Sequence, residues 1–120
     1  MKTPREKMLA DIENIVKRHG LSLKDIFTTS RLPWIVACRN ECMRHIRNEY
    51  GYSLPKIGKM FKRDHSAVYH SINAYEFKHG MDTEGARKYA IKLQRAKDRH
   101  RAVTDAASAL QHRQSEYQPG

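Results

Sequence analysis

The sequence predicts an all-α, multi-helix domain containing a helix-turn-helix, followed by a C-terminal helical extension. Three observations carry that reading. Apolar residues recur at three- and four-residue steps from Met8 onward. Helix-start residues (Thr3-Pro4, Ser53-Leu54-Pro55, Asp64) and stop signals at Gly20 and Gly80 punctuate those runs. The stretch Gly51 to Glu76 reads as two short helices joined by a tight basic turn, and the rest of the chain is organised around it.

A first helix is expected from about Pro4 to His19, with Thr3 as N-cap, Pro4 at the first helical position and Gly20 beyond its end. Met8, Ile12, Ile15 and Val16 form its apolar stripe. Leu21 to Phe27 reads as a short second helix, with Ser22 and Asp25 in capping-box spacing. Both are a packing platform. After a loop from Thr28 to Pro33, a longer third helix runs from about Pro33 to Tyr50, with Ile35 or Val36, Arg39, Met43, Ile46 and Tyr50 at helical steps. Trp34 is expected to be a core anchor rather than a base-stacking group.

In the central stretch Ser53 is an N-cap, Pro55 sits in the first turn, and Leu54, Ile57 and Phe61 share one face. Lys62 and Arg63 form the turn. Asp64 then caps a second helix by accepting from the N–H of Ser66 or Ala67. Val68, Ile72 and Tyr75, at i, i+4 and i+7, face inward, which leaves His65, Ser66, Ala67 and Tyr69 outside. This is the pattern of a helix-turn-helix whose second helix enters the major groove N-terminus first. A core hairpin with a solvated basic loop would share the apolar spacing. It would not need Lys56, Lys59, Lys62 and Arg63 gathered around one helix start, as a phosphate-straddling element does.

The residues Ser53-Leu54-Pro55, Ile57-Gly58, Phe61, Arg63-Asp64-His65, Val68, His70 and Ile72 resemble the signature of the C-terminal, DNA-box-binding domain of the bacterial chromosomal replication initiator DnaA. That pattern is S-L-P-E-I-G, a Phe, a glycine-containing turn, then R-D-H-T-T-V-x-H-A-I. The resemblance covers roughly Met8 to Glu76. It implies base readout by Asp64, His65, Ser66 and Ala67, and backbone contacts by Arg39, Lys56, Lys59, Lys62, Arg63 and His70. It also implies that Arg31, just before the long helix, reaches the adjacent minor groove, where narrow A·T-rich DNA concentrates negative potential. The chain departs from the pattern at several points. The turn is one residue shorter, with Lys62 where glycines are usual; Ser66 and Ala67 replace the two threonines; the basic run before the long helix shrinks to Arg31. No G-x-x-x-x-G-K-[ST] loop occurs, so no nucleotide is expected as a ligand. The expectation is a reader domain without a motor, a stand-alone regulator of the kind a mobile element carries.

The chemistry of the side chains agrees. Asp64 can accept from cytosine N4, Ser66 suits either base type, the Ala67 methyl can touch a thymine methyl, and His65 can donate to a purine acceptor. Asp64-His65-Ser66 is not a catalytic triad, because consecutive residues at a helix start splay about 100° apart. No carboxylate cluster is present to hold Mg²⁺, so a small nuclease built on His65 and His70 is the minority reading. Cys38, Cys42 and His45 share one helix face, but structural zinc draws its ligands from two segments, and no metal or other cofactor is expected.

Lys78 to Asp82 is a break, and Thr83 and Glu84 open a helix continuing to about His112. Its seam of Ala86, Tyr89, Leu93, Ala96, His100, Val103, Ala107 and Leu110 either braces the domain or pairs with a second copy as a homodimer. Bracing is favoured, since alanine buries little area. The division is then 1–80 for the DNA-binding domain, 81–114 for the C-terminal helix and 115–120 for a flexible tail.

The bulk numbers set the frame. One hundred and twenty residues suit one small domain plus an extension, and the net charge of +10 points to an anionic partner. That charge is spread, with +2, +2, +3 and +3 over residues 1–20, 21–52, 53–80 and 81–120. A mean hydropathy of −0.81 argues against a membrane span, and no apolar run after Met1 suggests a signal peptide. Two cysteines four apart on one helix suggest a reducing, cytoplasmic setting. The expected function is sequence-specific binding of double-stranded DNA, regulating replication initiation or transcription. The alternative is a helical protein-interaction adaptor with nonspecific nucleic-acid affinity.

Overall fold

The structure is a computed structural model that describes the backbone of residues 1–116 and the side chains of residues 1–110. Among these, six helices follow one another: α1 Pro4–Arg18, α2 Leu23–Ile26, α3 Pro33–Tyr50, α4 Leu54–Phe61, α5 His65–Lys78 and α6 Glu84–Glu116. The all-α class and the helix-turn-helix are as the periodicity predicts.

Each start follows from its cap. The Thr3 hydroxyl accepts from the Glu6 N–H at 3.2 Å, with Pro4 opening α1. The buried residues of α1 are Met8, Ile12, Ile15 and Val16, the predicted stripe. In α2 the Ser22 N–H donates to Asp25 Oδ2 at 2.8 Å. That helix is shorter than expected: Leu21 and Phe27 flank it as half-buried core contacts instead of extending it. Helix α3 begins and ends where the sequence predicts, closing on Gly51 at φ 65°.

The core joins α1 through α5: Met8, Ile12, Ile26, Cys38, Cys42, Met43, Ile46, Ile57, Phe61 and Val68 are buried on it. Helix α3 lies at the centre, in contact with α1, α2, α4 and α5. Cys38 and Cys42 are free thiols with no exposed surface, and burial pushes both thiols up. Polar clasps lock α1 to α3. Asp11 Oδ2 accepts from Tyr50 at 2.6 Å and pairs with His45 Nε2 at 2.9 Å, while Arg18 and His19 both bind Glu41. His45 therefore faces Asp11 and not the two thiols.

Trp34 corrects an expectation. It is 58% exposed, not a core anchor. It stands in the first turn of α3, where Ile35 and Cys38 take the inward direction.

Helix α6 is packed on α5 and is absent from the core cluster. Thr83 caps it, accepting from the Ala86 N–H at 3.0 Å and donating to Glu76 Oε2 at 2.6 Å. Glu76 in turn holds Arg44 of α3 at 3.4 Å. A Cβ at Gly85 would meet Asn73 Oδ1 and Glu76 Oε2, so a larger residue there would require those side-chain ends to shift. Ala86 is buried and Tyr89, Ala90 and Leu93 are half-buried, but every residue from Gln94 to Leu110 is exposed. The molecule measures 85 × 29 × 24 Å, and α6, 33 residues or about 50 Å long, accounts for much of the long dimension. Its backbone runs past the expected His112 and through Ser115 to Glu116; residues 117–120 of the expected tail lie outside the described residues.

Candidate nucleic-acid interface

The α4–α5 turn is built by backbone geometry. The Ser53 hydroxyl accepts from the Lys56 N–H at 3.2 Å and starts α4. Lys62 ends it in the left-handed region, at φ 56° and ψ 47°, the one described non-glycine residue with positive φ. The Arg63 N–H then returns to the Gly58 carbonyl at 2.8 Å, a Schellman closure with Lys62 at the position that glycine usually fills. Gly58 itself has no alternative, since a Cβ there would collide with the Arg63 carbonyl oxygen. Phe61 of α4 stacks on Phe27 with centroids 5.1 Å apart, tying the turn to the loop before α3.

Asp64 Oδ1 accepts from the Ala67 N–H at 2.7 Å, so this carboxylate is first of all the N-cap of α5. His65 and Ser66 are exposed, Ala67 is half-buried, and Val68 and Ile72 behind them are buried. The tip of α5 thus presents its side chains outward on a rigid base. Tyr69, one turn on, is 41% exposed; sequence reasoning left it outside the core but gave it no role. Its phenol is held below the ordinary value by hydrogen bonding to Lys88 and Asn73.

The surrounding cations take different positions. Lys59 and Lys62 are exposed. Lys56 is also exposed but rests its ammonium 3.9 Å from the centroid of the Tyr52 ring. Arg63 is half-buried, and its Nε is a buried donor without an acceptor. His70 stacks on Tyr89 of α6 with centroids 5.2 Å apart. Partial burial, assisted by Lys92 and Lys78, keeps its imidazole below the ordinary value, hence largely uncharged at neutral pH.

Arg39 corrects the expected set of backbone contacts. It is only 2% exposed. Its Nε donates to the Ile26 carbonyl at 3.0 Å, and one terminal nitrogen donates to Thr28 and Ser30 carbonyls at 2.8 and 3.1 Å. A guanidinium so committed cannot reach a phosphate. It clamps the loop that carries Arg31, and the Ser30 hydroxyl, accepting from the Leu32 N–H at 3.3 Å, closes the other side. Burial, with Arg63 close enough to add repulsion, lowers the Arg39 pKa. That proximity links the Arg31 loop to the α4–α5 turn. Arg31 itself is exposed.

Among the described residues, no group of three or more histidine, cysteine or acidic side chains could hold a metal ion, and no helix is long and apolar enough to cross a membrane.

The family described as the bacterial dnaA protein helix-turn-helix matches residues 10–74. The chain is similar to chromosomal replication initiator proteins DnaA from several bacteria. It is 37% identical over 73 residues to that of Pseudothermotoga lettingae, covering 61% of this chain and 16% of the relative. With the protein of Streptococcus equi subsp. zooepidemicus it shares 42% identity over 67 residues, 55% of this chain and 15% of the other. The protein of Brucella abortus biovar 1 is 32% identical over 90 residues, 73% of this chain and 18% of the relative. The chain therefore spans less than a fifth of the length of these relatives. No solved structure matches it.

Proposed function

This chain belongs to the bacterial dnaA protein helix-turn-helix family, and from that premise we propose that it binds double-stranded DNA and reads a specific site with the tip of α5. The observation that carries the reading is the outward presentation of His65, Ser66 and Ala67 over the buried Val68 and Ile72. Exposed Lys59 and Lys62 beside them suit phosphates. Half-buried Arg63, in the same turn, adds a third cation beside them. Arg31, exposed on a loop clamped from within by Arg39, suits the role of an inserted minor-groove contact. The biological role is control of replication initiation or of transcription at such sites, with no catalytic step.

The test is selection of bound duplexes from a random library, repeated with His65→Ala and Ser66→Ala. These two are preferable to Asp64→Ala, which would also remove the α5 cap. Each should lose roughly 1–3 kcal/mol of discrimination at one base pair and leave the others intact. If both variants keep the wild-type preference at every position, this docking is wrong. A second reading, a helical adaptor, draws on Val103 and Leu110, both exposed on α6. Its signature is equal affinity for all duplexes of one length.

A further inference from the structure

The course of α6 carries an inference about residues that the family match does not reach. Its neighbours on α5 fall in reverse order. Thr83 meets Glu76, and the site of a Gly85 Cβ meets Asn73. Further along, Lys88 lies 5.9 Å from the Tyr69 ring, Tyr89 stacks on His70, and Lys92 lines a shallow cleft with Ser66. The two helices are therefore antiparallel, and α6 advances toward the N-terminal tip of α5. It is level with Ser66 near Lys92 and does not stop there. Residues 94–110 continue, exposed, beyond the end of α5 that the proposed function points at DNA.

The face that α6 turns to α5 gains cations beyond that crossing. Up to the tip it consists of Ala86, Tyr89, Ala90 and Leu93. Four, seven and eleven residues after Leu93, the same helical direction carries Lys97, His100 and Thr104, with Arg101 beside them. Lys97 and Arg101 lie roughly 7 and 13 Å further along the axis than Lys92. Ala107 and Leu110 resume the apolar line further out, so the cations Lys97 and Arg101 sit just past the domain, where a polyanion seated on the α5 tip would meet them.

We propose that α6 is a second DNA-contacting element. Its inner face beyond the tip, through Lys97 and Arg101, grips the phosphate backbone of the duplex beside the base pairs read by α5. This inference rests on the proposed function and extends the footprint past the helix-turn-helix.

The experiment compares full-length wild type, Lys97→Ala/Arg101→Ala and Arg95→Ala/Arg99→Ala on the selected duplex across a salt titration. All four positions are exposed, so folding should be unchanged, which circular dichroism checks. Arg95 and Arg99 stand across the helix from Lys97 and Arg101, on the face that carries Lys88 and Lys92, and match the charge removed. The inner-face pair should flatten the salt slope by about 1.8, so that between 50 and 200 mM salt it loses roughly 12-fold less affinity than wild type. The outer-face pair should keep the wild-type slope. An unchanged slope for the inner pair overturns the inference while leaving the proposed function intact, provided site preference persists. Equal flattening by both pairs also overturns it, reducing the arm to net charge. A wild type that prefers no duplex removes both. If sedimentation shows a concentration-dependent mass that Val103→Asp abolishes, with the inner-pair slope unchanged, the occupant of the arm is a second copy and not DNA.

Discussion

Lys62 is where fold and binding can be separated by a single substitution. Its φ of 56° and ψ of 47° lie in a region that costs an L-residue about 1–2 kcal/mol. Glycine there would relieve that strain, but its greater freedom in the unfolded chain offsets about 0.5–1 kcal/mol. Alanine keeps the strain, since the penalty comes from Cβ. Both substitutions remove the cation. Lys62→Gly should therefore be more stable than Lys62→Ala by about 0.5–1 kcal/mol, a difference of roughly 3–5 °C in Tm for a domain of this size. Both should flatten the salt dependence of duplex binding by about 0.9. Thermal unfolding followed by far-UV circular dichroism reads the first quantity, and a salt titration the second. If the two variants melt together, the left-handed turn is not the solution geometry. If the slope stays at the wild-type value, Lys62 lies outside the interface. The turn thus combines a strained backbone with a positive charge at the helix-end position that glycine usually fills.

Two further outcomes follow from the buried polar contacts. Arg39→Met removes three bonds to loop carbonyls and should lower stability by about 3 kcal/mol in a denaturant titration; Arg39→Lys should not rescue it, because its single nitrogen cannot occupy both places from which Nε and the terminal nitrogen donate. Asp11 has its carboxyl lowered by bonds from Tyr50 and His45, so its contribution is present at neutral pH and is lost as pH falls through the lowered value. The stability gap between wild type and Asp11→Asn should be below about 1 kcal/mol, because the side chain is substantially solvated, and should close in acid; a gap that widens toward low pH would contradict the assigned geometry.

The helices were legible because their signals are local. The Met8 to Val16 stripe, the Pro33 to Tyr50 span and the Ser53 and Asp64 caps depend on residues within a turn or two of one another. Arg39 was half legible. It stood among the inward positions of its helix, which for an arginine signals a buried clamp, but its acceptors lie up to 13 residues away on a loop that periodicity does not place. Trp34 misled because a large apolar side chain in a first turn is buried only if another element covers it. The approach of Lys88, Tyr89 and Lys92 to α5 depends on Thr83, Gly85 and Glu76 turning the chain back on itself, a long-range event that no seam within α6 could report.

Trp34 is the chain's one tryptophan, and its place on the surface has an optical consequence. An indole already in water when the protein is folded emits at long wavelength and changes little on unfolding, so intrinsic tryptophan emission is a poor gauge of denaturation here. The same solvation makes it a sensitive one for whatever approaches the outside of α3. The indole lies three residues after Arg31, on the element whose loop is proposed to enter the minor groove. A duplex settling there would dehydrate the ring and shift its emission to the blue without any change in the core. Nature has left a fluorophore at the doorstep of the interface, and titration with DNA could be followed on the unlabelled chain.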